Sequence, residues 1–133
     1  IQAMAYIPSK ALATAKARKM LPDAIPFADA VRNTTNAALM SHALTTRPDL
    51  LLVATEDFLH QSYRAEAMPD SYALVQKLRA AGIAAFISGA GPTVLVLHTG
   101  GESEAAELER AAGDKFQMIA LGISRTGVSV ITA

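Results

Sequence analysis

The chain has 133 residues, the size of one domain, which excludes two independent hydrophobic cores. A hydrophobic content of 51% with 18% charged residues supplies enough apolar surface to offset the entropy of ordering the chain, which excludes intrinsic disorder as the main state. Twelve Lys plus Arg balance twelve Asp plus Glu without a cluster of either sign, so we expect neither nucleic acid nor a membrane as partner. The absence of cysteine excludes disulfides and thiolate chemistry and fits a reducing, cytoplasmic compartment.

The first third of the chain is predicted to form one strand and two helices. The apolar run Ala3–Ile7 predicts a strand that ends at the following proline, which has no N–H for a ladder. Helix-forming residues predict a helix at Leu12–Leu21, and Pro26 begins a longer helix that runs to about Leu44. Apolar residues recur in the longer helix at helical spacing and are predicted to pack in the core: Phe27, Ala30, Val31, Ala37, Ala38 and Leu44.

Two further helices are predicted in the middle of the chain. Pro48 begins the first, which ends near Tyr63 and carries an apolar stripe. Pro69 begins the second, which ends at Gly82, a residue suited to the left-handed conformation that follows many helices. The inward side of this second helix is predicted to comprise Leu74, Val75, Leu78 and Ala81.

After Gly82 the apolar spacing changes to that of strands. Ile83–Ile87 and Thr93–His98 predict two antiparallel strands, and a helix is predicted from Glu102 to about Ala112. Because glycines and a proline divide the uncharged stretch 80–101 into strand-sized pieces, no transmembrane helix is predicted. Two more strands are predicted at Phe116–Ile123 and Val128–Thr132.

In this order the elements predict an α+β fold. When the helices before residue 82 are treated as one crossover, the sequence reads strand, helices, hairpin, helix, strand, the order of a ferredoxin-like split βαβ sandwich with an extra final strand. We therefore predict helices packed on one antiparallel sheet of four to five strands, in a single domain over residues 1–133.

The most specific local motif is the segment Ser88–Thr93, here called the glycine loop, which joins the two strands predicted at Ile83–Ile87 and Thr93–His98. Gly89 and Gly91 flank Ala90; both glycines permit positive backbone angles and leave amide groups uncovered, so the loop could hold an anion. The alternative is a tight hairpin connection that needs glycine only for its geometry. No Walker motif follows the loop, and it does not lead from a strand into a helix as a dinucleotide fingerprint does.

Three polar residues are candidates for ligand binding. Thr14 and Arg18 are four residues apart on a predicted helix, so a hydroxyl and a guanidinium could face one ligand, and guanidinium groups bind carboxylates through paired hydrogen bonds. Arg64 follows the Pro48 helix and could be either an anion clamp or a helix-capping cation. The alternative for the first pair is a solvated helix face.

Other chemically suggestive residues receive structural interpretations. His60 has no evident carboxylate to orient it, so no catalytic role is assigned to it. Asp29, Glu56 and Asp57 are expected to be exposed charges. The three histidines are too scattered for a metal motif, and the five methionines are read as packing residues. No metal ligand is therefore predicted in this chain.

Taken together, the motifs resemble the C-terminal part of homoserine kinases, members of the GHMP kinase superfamily. The similarity is carried by the segment Leu12–Arg18, the segment His60–Arg64 and the glycine loop, in that order. Ala13 and Ser62 depart from the residues usual in the family, as does the Val128-Ser129 pair. The resemblance implies the fold of a GHMP kinase C-terminal domain.

The resemblance also implies phosphoryl transfer from ATP to the hydroxyl of L-homoserine, with Mg²⁺, in threonine biosynthesis. Thr14, Arg18 and Arg64 correspond to residues that bind the amino acid, and Ser88, Gly89, Ala90 and Gly91 to an active-site glycine motif. The family binds ATP mainly through a Gly/Ser-rich loop in an N-terminal domain, and no such loop occurs in these residues. An N-terminal domain of the same protein is therefore the expected partner, and this chain is predicted to be inactive alone.

Two other functions remain open at this stage. One is a non-catalytic module that binds an amino acid or pairs with a second copy as a homodimer. The other is a kinase of the same superfamily with a different acceptor, such as mevalonate or an isoprenoid alcohol.

Overall fold

The computed structural model describes residues 1–124 and 126–130. Its strands are β1 (Gln2–Pro8), β2 (Ala84–Ile87), β3 (Val94–His98) and β4 (Phe116–Leu121). Its α-helices are α1 (Thr14–Arg18), α2 (Phe27–Thr45), α3 (Leu51–Ala54), α4 (Pro69–Ala80) and α5 (Glu102–Ala112). Short 3₁₀ turns precede α3, α4 and β4.

The four strands form one sheet in the order β2-β3-β1-β4, and every neighbouring pair is antiparallel. In the central pair, Tyr6 is opposite Val94, and on the other side of β1, Ala5 is opposite Ile119. The helices α1 to α4 form the crossover between β1 and β2, and α5 connects β3 to β4. This arrangement confirms the predicted split βαβ topology.

The larger hydrophobic core lies on the face of the sheet covered by α4 and α5. Alternation along the strands directs Tyr6, Val94 and Val96 to this face, where they pack against Val75 and Leu78 of α4. All five side chains are at most 2% exposed. Two prolines frame this core, since Pro69 begins α4 without an unused N–H and Pro8 ends β1.

A second, smaller core lies on the opposite face and involves only the β2-β3 half of the sheet. Here Ala43 of α2 and Leu51 and Ala54 of α3 pack with Ala84 of β2. The domain therefore has helices on both faces of the sheet, with the second face only partly covered. No helix in the described ranges has the length and apolar character needed to cross a bilayer.

The prediction that the apolar stripe of α2 faces the core is wrong. Phe27 is 85% exposed and Val31 47% exposed, whereas the buried residues of α2 are Asn36 and Ala43. At 100° per residue, positions 27, 31 and 38 lie opposite positions 36 and 43. Spacing identified a common helix face, but it could not show that another element lies against that face. Ala81, at the end of α4, is likewise exposed.

Three element boundaries also differ from the predictions. Helix α1 has five residues, and the helix begun at Pro48 ends at Ala54 rather than near Tyr63. Strand β4 ends at Leu121 rather than at Ile123. Of the strand predicted at Val128–Thr132, residues 128–130 are not a strand, and Thr132, like Arg125, lies outside the described residues. The loop that replaces the second half of the Pro48 helix is central to the candidate site.

Candidate functional site

The glycine loop is a tight turn between β2 and β3. The N–H of Ser88 donates to the carbonyl of Thr93 at 2.8 Å, and the N–H of Gly91 donates to the carbonyl of Ser88 at 3.0 Å. Gly91 has a φ of +80°, and a Cβ at this position would lie 2.6 Å from Met68 Sδ. The backbone conformation at position 91 therefore favours glycine, and a Cβ there would also force the end of the Met68 side chain to move.

The tip of the glycine loop leaves two amide groups uncommitted. Among the described residues, no acceptor is bonded to the N–H of Gly89 or of Ala90. Gly89 is exposed and has a φ of +57°. Successive free N–H groups next to a glycine in this conformation favour an anion, which agrees with the sequence-based interpretation of the loop.

Arg64 connects the three segments singled out in the sequence. Its side chain is buried, and its Nε donates to the carbonyl of Ala17 in α1 at 3.0 Å. Its Nη1 donates to the carbonyl of Gly89 in the glycine loop at 3.4 Å and lies 3.3 Å from His60 Nδ1. The guanidinium thus fixes α1 and the glycine loop relative to each other.

The remaining terminal nitrogen of Arg64 is free to bind a ligand. Nη2 has no hydrogen-bond partner in the part of the chain that the structure describes. Because the other nitrogens are held by acceptors, this donor has a fixed direction. A pre-oriented, always charged donor is well suited to a carboxylate or phosphate oxygen.

Thr14 and Arg18 are the first and last residues of α1, and both are exposed. Arg18 directly follows Ala17, whose carbonyl accepts the Arg64 hydrogen bond. The structure therefore brings the helix that carries both residues against Arg64. No hydrogen bond joins the Thr14 or Arg18 side chain to Arg64 among the described residues.

Residues 55–64, here called the 55–64 loop, carry Arg64 and are held largely by side chains, although the N–H of Arg64 donates to the carbonyl of His60 at 3.1 Å in a single helical turn. Oδ2 of Asp57 accepts from the N–H of His60 at 2.9 Å and of Gln61 at 2.7 Å. The N–H of Phe58 donates to Asn33 Oδ1 of α2 at 3.1 Å. Such local side-chain acceptors compete with helix formation, which explains why α3 ends early.

His60 has a carboxylate partner that the sequence analysis did not identify. Its Nε2 lies 3.4 Å from Asp57 Oδ1, and the Asp57 side chain is only 13% exposed. The prediction that Asp57 is an exposed charge is therefore wrong. Burial lowers the pKa of His60 below 6.5, the Asp57 carboxylate raises it, and the Arg64 guanidinium lowers it further. The spacing Asp-x-x-His was the available signal.

Gln61 is a second residue that the sequence analysis missed. It is buried, and its Oε1 accepts from the N–H of Ile87 at 2.6 Å, one residue before the glycine loop begins. This bond joins the 55–64 loop to the end of β2. Together with Arg64, it fixes the position of the glycine loop from the side of the 55–64 loop.

Two cavities lie near these residues. One, of about 290 Å³, is lined by Asn33, Asp57, His60 and Gln61 among others. The other, of about 300 Å³, lies between the chain leading into α1 and the start of α4. Thr14, Arg18 and Arg64 line neither cavity.

The family profile described as GHMP kinases C terminal matches residues 35–117. The chain is 52% identical over 126 residues to a homoserine kinase from Streptomyces avermitilis, which covers 95% of this chain and 41% of that protein. A homoserine kinase from Rhodococcus erythropolis is 47% identical over 133 residues, covering 99% of this chain and 41% of that protein.

A solved structure has the same fold. The crystal structure of homoserine kinase from Cytophaga hutchinsonii superposes with a TM-score of 0.74 at 22% identity, covering 90% of this chain and 40% of the other. The chain spans about two fifths of the length of the curated relatives that it matches.

Proposed function

The chain belongs to the GHMP kinase family, and from this premise we propose that it is the C-terminal, substrate-binding part of a homoserine kinase. The full-length protein would transfer the γ-phosphate of ATP to the side-chain hydroxyl of L-homoserine. The support for this acceptor is the name shared by relatives at about half identity across nearly the whole chain. We expect this phosphorylation to be a step of threonine biosynthesis in the cytoplasm.

The observation that carries the proposal is the position of the Arg64 guanidinium. It donates to Ala17 of α1 and to Gly89 of the glycine loop, so one buried cation lies between the two segments proposed to bind substrate. Nη2 is left to meet the carboxylate of the amino acid. Arg18 would supply the second positive charge to that carboxylate, and the Thr14 hydroxyl a further hydrogen bond.

The glycine loop would act on the phosphate side of the reaction. Free N–H groups at Gly89 and Ala90 give it an electropositive tip, while Ser88 and Gly91 close the turn. In phosphoryl transfer, most of the catalytic effect comes from positioning and from stabilising charge around the phosphate. The loop would contribute fixed backbone dipoles to that stabilisation.

Nucleotide and metal binding are assigned to the N-terminal domain of the same protein. Mg²⁺, when bound with ATP in such kinases, neutralises charge on the phosphates. The Gly/Ser-rich loop through which the family binds ATP does not occur in these residues. We therefore propose that the 133 residues alone do not phosphorylate homoserine.

The proposal is tested by assaying two proteins: the full-length protein that contains this chain, and the 133-residue chain alone. We expect ADP release from the full-length protein to require L-homoserine and not to occur with mevalonate, and we expect none from the chain alone. Activity with mevalonate instead would assign another acceptor. Tight homoserine binding by the chain in calorimetry, without phosphoryl transfer by the full-length protein, would favour a non-catalytic module.

Substitution of Arg64 tests the proposed carboxylate contact. In the full-length protein, Arg64→Lys keeps a positive charge but loses the fork of donors, so we expect the KM for L-homoserine to rise about tenfold or more. Arg47→Lys is the matched control, since the Arg47 side chain is exposed and Asp49 is its hydrogen-bond partner among the described residues. An unchanged KM in a folded Arg64→Lys protein would remove this residue from the substrate site.

A further inference from the structure

The array Asp57–His60–Arg64 has a defined polarity. Arginine has no acceptor, so the contact of 3.3 Å between Arg64 Nη1 and His60 Nδ1 requires the imidazole nitrogen to accept. In a neutral imidazole, the proton then lies on Nε2, which faces Asp57 Oδ1 at 3.4 Å. The carboxylate and the guanidinium favour the same tautomer from opposite sides of the ring.

We infer that His60 is a positioning residue: it holds the Arg64 guanidinium in the orientation that presents Nη2 to the substrate carboxylate, and it releases that group when the imidazole takes up a proton. The inference rests on the proposed function, because it deepens the role assigned there to Arg64. Protonation would place an Nδ1–H donor against an Nη1–H donor and two positive charges side by side. Nη1 would then retain only its longer bond to Gly89, at 3.4 Å.

The immediate surroundings of His60 determine the direction of this response. Burial and Arg64 lower the pKa of His60, and Asp57 raises it, so the ring is neutral above its ordinary value of 6.5. Residues 83–93, which include the glycine loop, contain no charged side chain. The other charged or titratable residues on the elements around His60 are Lys16 and Arg18 of α1, Lys19 directly after it, Asp29, Arg32 and His42 of α2, and Glu56 and Tyr63 of the 55–64 loop.

Kinetics of the full-length protein between pH 5.5 and 8.5 provide the first test. For the wild type, we expect the KM for L-homoserine to rise as the pH falls through the His60 titration, with a much smaller change in kcat. His60→Ala should raise the KM about tenfold at pH 7.5, because Nη1 loses an acceptor. His60→Asn offers an Oδ1 acceptor near the position of Nδ1 but does not titrate. We therefore expect its KM at pH 7.5 to stay within about twofold of the wild-type value and not to rise as the pH falls.

His42→Asn is the matched control, because His42 is an exposed histidine of α2. It should leave the KM profile as in the wild type. The inference is overturned if His60→Asn keeps the wild-type acid rise in KM, or if His60→Ala binds homoserine as tightly as the wild type. Either result with an active enzyme leaves the proposed homoserine kinase activity intact.

Nuclear magnetic resonance of the full-length protein labelled with ¹⁵N-histidine and ¹⁵N-arginine gives a readout independent of activity. We expect the neutral form of His60 to carry its proton on Nε2, and exchange of the Arg64 guanidinium protons to quicken as His60 becomes protonated. A proton on Nδ1 in the neutral form would overturn the inference. If the full-length protein does not phosphorylate homoserine, the proposed function fails, and this measurement still decides whether His60 holds Arg64.

Discussion

Single buried polar residues in this domain have two different roles, ligand binding and stabilisation of the fold. Arg64 bonds to two backbone carbonyls, and its Nη2 has no partner among the described residues, which is why we propose that it binds a ligand. The hydroxyl of Tyr6, in contrast, makes its hydrogen bond within the domain, because it donates to the carbonyl of Leu108 at 2.9 Å. The ring of Tyr6 also packs edge to face against Phe116 with the ring centroids 6.3 Å apart. Tyr6 therefore contributes to stability alone.

Tyr6→Phe should reduce the free energy of unfolding at pH 7 by about 1 kcal/mol, since it removes a buried hydrogen bond and keeps the ring. Burial raises the pKa of Tyr6 to about 12, from 10.0 when the residue is exposed. The folded state therefore binds the Tyr6 proton more tightly than the unfolded state does. The contribution of the protonated Tyr6 hydroxyl to the free energy of unfolding is complete below pH 10 and is lost as the pH rises towards 12. Urea unfolding followed by circular dichroism measures this effect. The difference in the free energy of unfolding between the wild type and Tyr6→Phe should become smaller as the pH rises across that interval.

Tyr72→Phe is the control for this prediction, because Tyr72 is partly exposed and its hydroxyl makes no hydrogen bond with any described residue. A loss of stability at pH 7 as large in Tyr72→Phe as in Tyr6→Phe would contradict the role assigned to the Leu108 contact.

At the level of elements, short helices and loops are held by side chains from longer neighbours. Helix α3 has four residues, too few to be stable by its own hydrogen bonds. Arg79 of α4 donates through Nη2 to the carbonyl of Leu52 at 2.6 Å, and through Nη1 to Thr55 Oγ1 at 3.0 Å. Nη1 also lies 3.2 Å from the carbonyl of Ala85 in β2. Arg79 thus joins the end of α3 to α4 and the sheet.

Arg79→Met should reduce the free energy of unfolding by about 2 kcal/mol, because it leaves the carbonyls of Leu52 and Ala85 without their charged donor. Lys77→Met is the matched control, since Lys77 is an exposed cation on the same helix. Urea denaturation of both variants measures the effect. Equal losses in the two variants would show that Arg79 contributes no more than a surface charge.

For the whole molecule, burial is distributed unevenly over the two faces of the sheet. Helix α4 has 12 residues and buries Ser71, Leu74, Val75 and Leu78 against the larger core. Helix α2 has 19 residues but buries only Asn36 and Ala43, and its opposite face is exposed at Phe27. Length and packing therefore rank these two helices in opposite orders.

Amide hydrogen exchange of the 133-residue chain should follow packing rather than helix length. We expect the central residues of α4 to exchange more slowly than those of α2, because local opening of α2 exposes little apolar surface. The central strand β1, bonded on both sides, should exchange more slowly than the edge strand β4. Slower exchange in α2 than in α4 would contradict the view that the larger core stabilises this domain.

The sequence by itself determined the features that depend on neighbouring residues along the chain. Two short apolar runs and the glycine-rich connection between them predicted the hairpin of β2 and β3, and prolines and glycines gave the limits of α2, α4 and α5 within a few residues. The spacing of Thr14 and Arg18 also placed both on one short helix. These signals are local, because periodicity, capping and turn chemistry act over a few residues.

Only the tertiary structure decided which faces are buried and which polar groups meet. The partners of Arg64 are 47 residues away at Ala17 and 25 residues away at Gly89, and no pattern within either segment specifies the other. The exposure of the α2 stripe was mispredicted for the same reason, whereas the pairing of His60 with Asp57, three residues apart, had a local signal in the sequence that was missed. Burial and hydrogen bonding depend on what lies across the fold, and a single sequence specifies this only through the packing of the whole chain.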